Sequence, residues 1–156
     1  MVREVNYLLV LECVTANLKA TSKKQALQDL ARRAADVSGL HERAVFDVLM
    51  ERERLGTTGV GNGIAIPHGK LPNLDRLYGL FARLNQPIDF QAIDERPVDL
   101  VFVLLAPEGA GADHLKALAR ISRLLRDQNV CDKLRGTDNA EALFAILTES
   151  EEDRAA

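Results

Sequence analysis

The chain has 156 residues, of which 47% are hydrophobic and 28% charged, and its net charge is −3 at pH 7. These values are typical of a globular protein with one sizeable core, and the acidic balance argues against nucleic-acid binding, which usually needs a basic excess. Because no apolar run approaches the roughly 20 residues of a membrane helix and the N-terminus lacks a secretory-signal layout, we expect a cytoplasmic protein without membrane insertion.

The first third of the chain predicts one strand and two helices. Residues 14–18 form a short candidate strand, and Ser22 and Gln25 have the spacing of a capping box, which predicts a helix that runs to about residue 37. A second helix is expected over residues 42–55. Its buried stripe consists of Val45, Val48 and Leu49.

Strands dominate the middle of the chain. Residues 64–67 and 78–84 are predicted strands, and the almost continuous apolar run 98–105 is typical of a central strand covered on both faces. A helix follows Asp113, and a last helix is expected over residues 140–147. The predicted apolar side of the helix after Asp113 comprises Leu115, Leu118, Ile121, Leu124 and Leu125. This order predicts one layered α/β domain over residues 1–150, with an acidic, frayed tail over 151–156.

A glycine-rich loop leads into one unusual histidine. Three glycines in Gly59-Val60-Gly61-Asn62-Gly63 precede a short apolar run that ends in Pro67-His68-Gly69. The loop can offer several backbone N–H groups to an anion, and glycine after His68 leaves room for a ligand to approach the backbone. A neutral imidazole can attack a phosphoryl group without a separate base. His68 is therefore a candidate nucleophile, and the alternative is a structural histidine at a strand end.

Two further side chains could join His68. His114 opens a predicted helix and shares the inward face of Leu118 and Ile121, so it could contact an anion or a second imidazole, or serve only as a structural residue. Arg52 lies on the buried stripe of its helix, where it could bind an anion, extend to solvent or pair with a carboxylate. The third histidine, His41, is expected to be exposed or to cap a helix.

Other chemistries find little support in the sequence. The glycine loop reads GxGxG, which matches neither of the common nucleotide-binding signatures, and no serine-hydrolase elbow is present. Two histidines without a clear third ligand do not predict a metal site. Cys13 and Cys131 are isolated and are expected to be reduced, partly buried thiols. We therefore expect no metal and no cofactor.

The segment from Glu51 to Lys70 resembles the phosphorylation-site region of enzyme IIA components of the bacterial phosphoenolpyruvate-dependent phosphotransferase system, fructose/mannitol class. The combination of Arg52-Glu53, the glycine loop and Ile-Ala-Ile-Pro-His-Gly carries the resemblance. The amino-acid sequence of residues 61–71 is most similar to that of the nitrogen-regulatory branch. Further similarity is found in residues 22–27, 97–100, 114–115 and 131–134.

The resemblance implies a mixed central β-sheet with α-helices packed on both faces. It implies that His68 accepts a phosphoryl group from an HPr-like histidine phosphocarrier, that His114 flanks the phosphohistidine and that Arg52 contacts the phosphoryl group. The nitrogen that attacks stays unassigned. Some relatives carry a second histidine where this chain has Lys116, which could alter charge at the partner surface. The candidate phosphate-binding loop comprises Thr58, Gly61, Asn62 and Gly69.

The expected function is that of a regulatory phosphoryl acceptor in the nitrogen-related phosphotransferase system. Its phosphorylation state would control partner proteins in nitrogen or carbon metabolism, such as potassium-transport or sensor-kinase components. One alternative is a sugar-specific IIA protein that passes the phosphoryl group towards a IIB/IIC permease. Another is a protein-binding module that is not phosphorylated.

Overall fold

The computed structural model describes residue 5 and residues 7–149, so the predicted tail 151–156 lies outside the described residues. The helices are a 3-10 helix at Leu11–Cys13, α1 (Lys23–Ser38), α2 (Glu42–Arg54), α3 (Ala112–Arg126), α4 (Gln128–Arg135) and α5 (Ala140–Leu147). The strands are β1 (Val14–Leu18), β2 (Gly59–Gly61), β3 (Ile64–Ala65), β4 (His68–Leu71), β5 (Tyr78–Ile88) and β6 (Val98–Pro107). None of the helices in this part of the chain is both long and apolar enough to cross a membrane.

The strands form one mixed sheet in the order β1-β5-β6-β3-β2, and β4 also pairs with β6. The β1–β5, β3–β6 and β4–β6 pairs are parallel, whereas β5–β6 and β2–β3 are antiparallel. Residues 100–106 of β6 are all buried. Because successive side chains of a strand point to opposite faces, both faces of β6 must be covered. The predicted α/β domain with a mixed central sheet is confirmed.

Local sequence signals set the ends of α1. The Ser22 hydroxyl accepts a hydrogen bond from the Gln25 N–H at 3.1 Å, and Gly39 ends the helix with a left-handed φ of 78°. In a capping box, the Gln25 side chain would accept a hydrogen bond from the Ser22 N–H. Here it accepts from the N–H of the preceding residue, Thr21. The predicted helix is confirmed to within one residue at each end.

Two predictions about β-strands need correction. The strand expected over 64–67 is split into β3 and β4 at Ile66 and Pro67, since proline has no N–H to donate to a ladder. The split places His68 at the first residue of β4, opposite Leu104 of β6. The strand expected over 78–84 is longer than predicted and continues to Ile88.

Two predictions about helices also need correction. Leu115 is 67% exposed and is not part of the apolar side of α3, which is instead lined by His114, Ala117, Ile121, Leu124 and Leu125. Because Leu115 follows the inward His114 directly, it points about 100° away from it. Helix α4 was not predicted, although Asp127 accepts hydrogen bonds from the N–H groups of Asn129 and Val130 and is therefore its N-cap.

Both cysteines are free thiols and are more deeply buried than expected. Cys13 is 4% exposed and Cys131 is 2% exposed. Burial raises the pKa of both thiols. They therefore act as small apolar core residues rather than as reactive thiols.

Candidate functional site

The imidazole of His68 is held at both ring nitrogens. Its Nδ1 lies 2.8 Å from the carbonyl oxygen of Ile66, and its Nε2 lies 3.3 Å from Nε of Arg52. A carbonyl oxygen can only accept a hydrogen bond, and a guanidinium group can only donate one. Both contacts therefore require the same tautomer, with the proton on Nδ1 and a lone pair on Nε2. The nitrogen that carries the lone pair is thus the one that faces Arg52.

Arg52 approaches the ring from α2. Its Nη1 donates a hydrogen bond to the carbonyl oxygen of Gly56 at 2.9 Å, which fixes the guanidinium while Nε remains directed at His68. The side chain is partly buried. Arg52 therefore neither extends freely to solvent nor pairs with a carboxylate among the described residues, and its charge lies beside the Nε2 lone pair of His68.

His114 lies on the other side of the site, in the first turn of α3. It is 7% exposed, and its ring centroid is 5.7 Å from that of His68 at an interplanar angle of 50°. Within residues 7–149, its Nδ1 is buried and has no hydrogen-bond partner. A buried polar atom without a partner is costly, so an added hydrogen-bond partner at this nitrogen would be stabilising.

Burial and charge keep both imidazoles neutral. The pKa of His68 is lowered mainly by burial and further by the charge of Arg52, and the hydrogen bond to Ile66 and the charge of Glu53 offset this only in part. The pKa of His114 is lowered by burial, by His68 and by Lys70. A protonated imidazole has no free lone pair. The lowered pKa therefore preserves the nucleophilic form of His68 at neutral pH.

This electrostatic environment predicts a pH effect. Because the folded-state pKa values of His68 and His114 lie below 6.5, the unfolded chain binds more protons between those values and pH 6.5. The free energy of unfolding contributed by the two groups is therefore fully present above pH 6.5 and is lost as the pH falls through the folded pKa values. Histidine NMR titration should give midpoints below 6.5 for both rings, and a midpoint at or above 6.5 for His68 would contradict this prediction.

Two clefts meet at Arg52 and His68. The larger, of about 560 Å³, also contains Glu51, Lys70 and His114 in its wall, and the smaller, of about 180 Å³, lies towards Thr58. Leu55, which is 85% exposed, lies at the edge of the larger cleft. His68 is therefore reachable from solvent, beside charged and apolar side chains.

Gly69 lines the larger cleft beside His68 and also packs closely against α2. A Cβ atom at this position would lie 2.3 Å from Cγ1 of Val48 in α2. A side chain here would therefore collide with the helix. Because α2 also carries Arg52, the absence of a side chain at Gly69 lets Arg52 approach His68 closely.

The turn of the glycine loop, residues 61–63, does not line the two clefts around His68. Gly61, Asn62 and Gly63 form the turn between β2 and β3 with positive φ angles of 107°, 58° and 80°. The Asn62 N–H already donates to Oδ2 of Asp94 at 2.9 Å, and the Asn62 carbonyl accepts from Arg135 at 2.7 Å. Neither Gly61 nor Asn62 lines the clefts around His68. The predicted phosphate-binding role of these two residues gains no support from this geometry.

Thr58 does line the smaller cleft, but its polar groups are engaged elsewhere. Both its N–H and its hydroxyl donate to the carboxylate of Glu53, which is buried. Sequence analysis did not single out Glu53. A usable signal was present, because Glu53 follows Leu49 by four residues and Val45 by eight, on the buried stripe of α2. His41 is exposed at the N-cap position of α2, without a side-chain capping bond.

The chain matches a known family over most of its length. Residues 8–150 match the family described as phosphoenolpyruvate-dependent sugar phosphotransferase system, EIIA 2. The chain belongs to this family of phosphotransferase components, as the resemblance in the sequence indicated.

Relatives within the family include proteins named for regulation and for sugar transport. The chain is 64% identical over 136 residues to a nitrogen regulatory protein of Bradyrhizobium diazoefficiens, covering 87% of this chain and 89% of the relative. It is 35% identical over 149 residues to the fructose-specific EIIA component of Haloferax volcanii, covering 95% of this chain and 97% of the relative. The crystal structure of nitrogen regulatory protein IIA-Ntr from Neisseria meningitidis superposes with a TM-score of 0.87 at 34% identity, covering 92% of this chain and 99% of that chain.

Proposed function

We propose that this cytoplasmic protein accepts a phosphoryl group on Nε2 of His68 from an HPr-like histidine phosphocarrier and regulates partner proteins by its phosphorylation state. The observation that carries the proposal is the arrangement of the His68 ring. Its Nδ1 proton is engaged by the Ile66 carbonyl, while the lone pair on Nε2 faces the Arg52 cation in a solvent-accessible cleft. This arrangement suits attack on an anionic phosphoryl group.

The transfer needs no added co-reactant. The Nε2 lone pair of His68 forms a bond to the phosphorus of the carrier's phosphohistidine, and the phosphorus–nitrogen bond on the carrier breaks, with its electron pair returning to the carrier's imidazole. The proton on Nδ1 of His68 stays in place. Its hydrogen bond to the Ile66 carbonyl stabilises the positive charge that the ring gains as the new bond forms.

Arg52 and His114 supply groups for the phosphoryl oxygens. The Arg52 guanidinium lies beside Nε2, so a phosphoryl group on that atom comes within its reach, and a preorganised cation of this kind favours negative charge that builds up during transfer. His114 carries the unpartnered Nδ1 at the opposite side. Protonated on that atom, it would donate to an oxygen of the bound group.

A regulatory output follows from charge. Phosphorylation adds close to two negative charges to a surface that exposes Leu55 and Lys70 at the same cleft. A partner that covers this surface must either accommodate or desolvate the new charge, so the two forms bind with different affinities. The 64% identity to a nitrogen regulatory protein supports this role over sugar transport. The 35% identity to a fructose-specific component keeps onward transfer to a IIB/IIC permease as the second candidate.

The direct test is phosphoryl transfer with purified proteins. We would incubate the protein with phosphoenolpyruvate, the upstream kinase and a histidine phosphocarrier and measure the intact mass at neutral and acidic pH. The proposal expects the mass of one phosphoryl group, lost on acid treatment. Failure of a competent, phosphorylated carrier to transfer the group would contradict the proposal and favour a binding module. Subsequent transfer to a purified IIB domain would instead favour the sugar-transport role.

A further inference from the structure

A buried ion pair lies behind the candidate site. The Lys23 ammonium of α1 is 2.7 Å from Oε1 of Glu53 in α2, and the two side chains are 12% and 3% exposed. Lys23 also lies over the ring of Phe90, 4.8 Å from its centroid. Burying two charges costs free energy that the pair recovers only when its remaining hydrogen-bonding groups are satisfied. The groups that donate hydrogen bonds to the Glu53 carboxylate therefore show which part of the chain the ion pair holds in place.

The remaining bonds of Glu53 all go to Thr58. Its Oε1 accepts the Thr58 N–H at 3.1 Å, and its Oε2 accepts the Thr58 hydroxyl. Thr58 is 3% exposed, so these donors have no solvent to replace the carboxylate. One carboxylate thus fixes both the backbone and the side chain of Thr58.

Thr58 passes this constraint to His68 through the main chain. The Thr58 carbonyl accepts the Ile66 N–H at 2.9 Å, and the Ile66 carbonyl in turn accepts from Nδ1 of His68 at 2.8 Å. The path from the Lys23 ammonium to the imidazole alternates hydrogen bonds with the backbone of residues 58 and 66. Because the N–H and C=O of one residue belong to different peptide groups, the path acts through geometry. It fixes the position of the Ile66 carbonyl, which is the acceptor that selects the His68 tautomer.

We propose that Lys23, Glu53 and Thr58 form a positioning network that fixes the orientation and tautomer of His68 through the backbone of residues 58 and 66. This inference rests on the proposed function for its kinetic consequence. It assigns Thr58 an indirect role in place of the phosphate contact that the sequence suggested, because its hydroxyl and its N–H are both bound to Glu53. In metal sites, the groups that hydrogen-bond to a metal-binding histidine orient its ring in the same way.

The test combines a double variant with a matched control. Lys23→Met with Glu53→Met removes both charges together, so that no buried charge is left unpaired, and it removes both acceptors of Thr58. Glu42→Met makes the same substitution at an exposed glutamate in the first turn of α2, at the opposite end of the helix from Arg52. Thr58→Val is the second variant, since it removes only the hydroxyl, and Thr58→Ser restores that hydroxyl.

Two readouts separate positioning from simple stability. Nitrogen-15 NMR of the unphosphorylated protein reports which ring nitrogen of His68 carries the proton, and single-turnover transfer from a phosphorylated carrier gives the rate. We expect the double variant to lose the single Nδ1–H tautomer and to accept the phosphoryl group about tenfold more slowly. Thr58→Val should show the same change to a smaller extent, Thr58→Ser should recover most of it, and Glu42→Met should match wild type.

The outcomes distinguish this inference from the proposed function. Folded variants, judged by melting temperature and amide spectrum, that keep the wild-type tautomer and rate would overturn the positioning network. If the double variant does not fold, an unchanged tautomer and rate in Thr58→Val would overturn it equally. If wild type accepts no phosphoryl group while the tautomer still responds to Thr58→Val, the network stands and the proposed function fails.

Discussion

Replacing His68 by alanine should abolish phosphoryl acceptance, whereas replacing His41 by alanine should leave the rate unchanged. His68 supplies the only Nε2 lone pair that lies beside Arg52, at 3.3 Å from its Nε. His41 is exposed at the start of α2 and makes no side-chain capping bond, so it is a matched control for the loss of one imidazole. Intact-mass measurement after incubation with a phosphorylated carrier tests both variants.

The neighbouring histidine makes this experiment more informative. The His114 ring is 5.7 Å from that of His68, close enough to be considered as an acceptor. Its burial at 7% exposure argues against that role. A phosphoryl group on the His68→Ala protein would show that acceptance takes place elsewhere, with His114 as the first residue to examine.

Gly69→Ala should destabilise the protein and slow transfer at the same time. The new methyl would lie 2.3 Å from Cγ1 of Val48, whose β-branched side chain has one strongly preferred rotamer in a helix. Relief requires α2 to move away from β4, which costs about 1–3 kcal/mol of unfolding free energy. Because α2 carries Arg52, the same movement pulls its guanidinium from His68. Chemical denaturation and single-turnover transfer measure the two effects.

The Gly69 prediction has both a control and a rescue. Gly109→Ala adds the same methyl where no atom lies within 4 Å, so it should be close to neutral. Combining Gly69→Ala with Val48→Ala removes the clashing atom and should restore the transfer rate, although the loss of Val48 packing has its own stability cost. A Gly69→Ala protein with wild-type stability and rate would show that α2 does not depend on this contact.

Sequence signals were sufficient for features that depend on local chemistry. Ser22 and Gly39 bound α1 because capping and a left-handed φ need only neighbouring residues. The apolar run of β6 indicated a strand covered on both faces. Periodicity placed Arg52 on the buried stripe of α2. The flanking residues Pro67 and Gly69 marked His68 as unusual. The sequence did not reveal that a side chain at position 69 would collide with the packed helix α2.

Features that depend on strand pairing were beyond the sequence pattern. His68 and His114 are 46 positions apart and meet because β4 pairs with β6 in parallel, directly before the helix that carries His114. The separation of Asn62 from His68 follows from the split between β3 and β4. The exposure of Leu115 follows from the rotation of α3 against the sheet. Residue spacing alone had placed the start of the apolar side of this helix one residue too far along the chain.

The central claim, that Nε2 of His68 accepts the phosphoryl group, is tested most directly by nitrogen-15 NMR of the phosphorylated protein labelled at its histidines. The structure predicts one phosphohistidine, at His68, with phosphorus bonded to Nε2 and the proton kept on Nδ1. Phosphorus bonded to Nδ1, a phosphoryl group on any other residue, or no phosphohistidine after exposure to a competent carrier would contradict the claim.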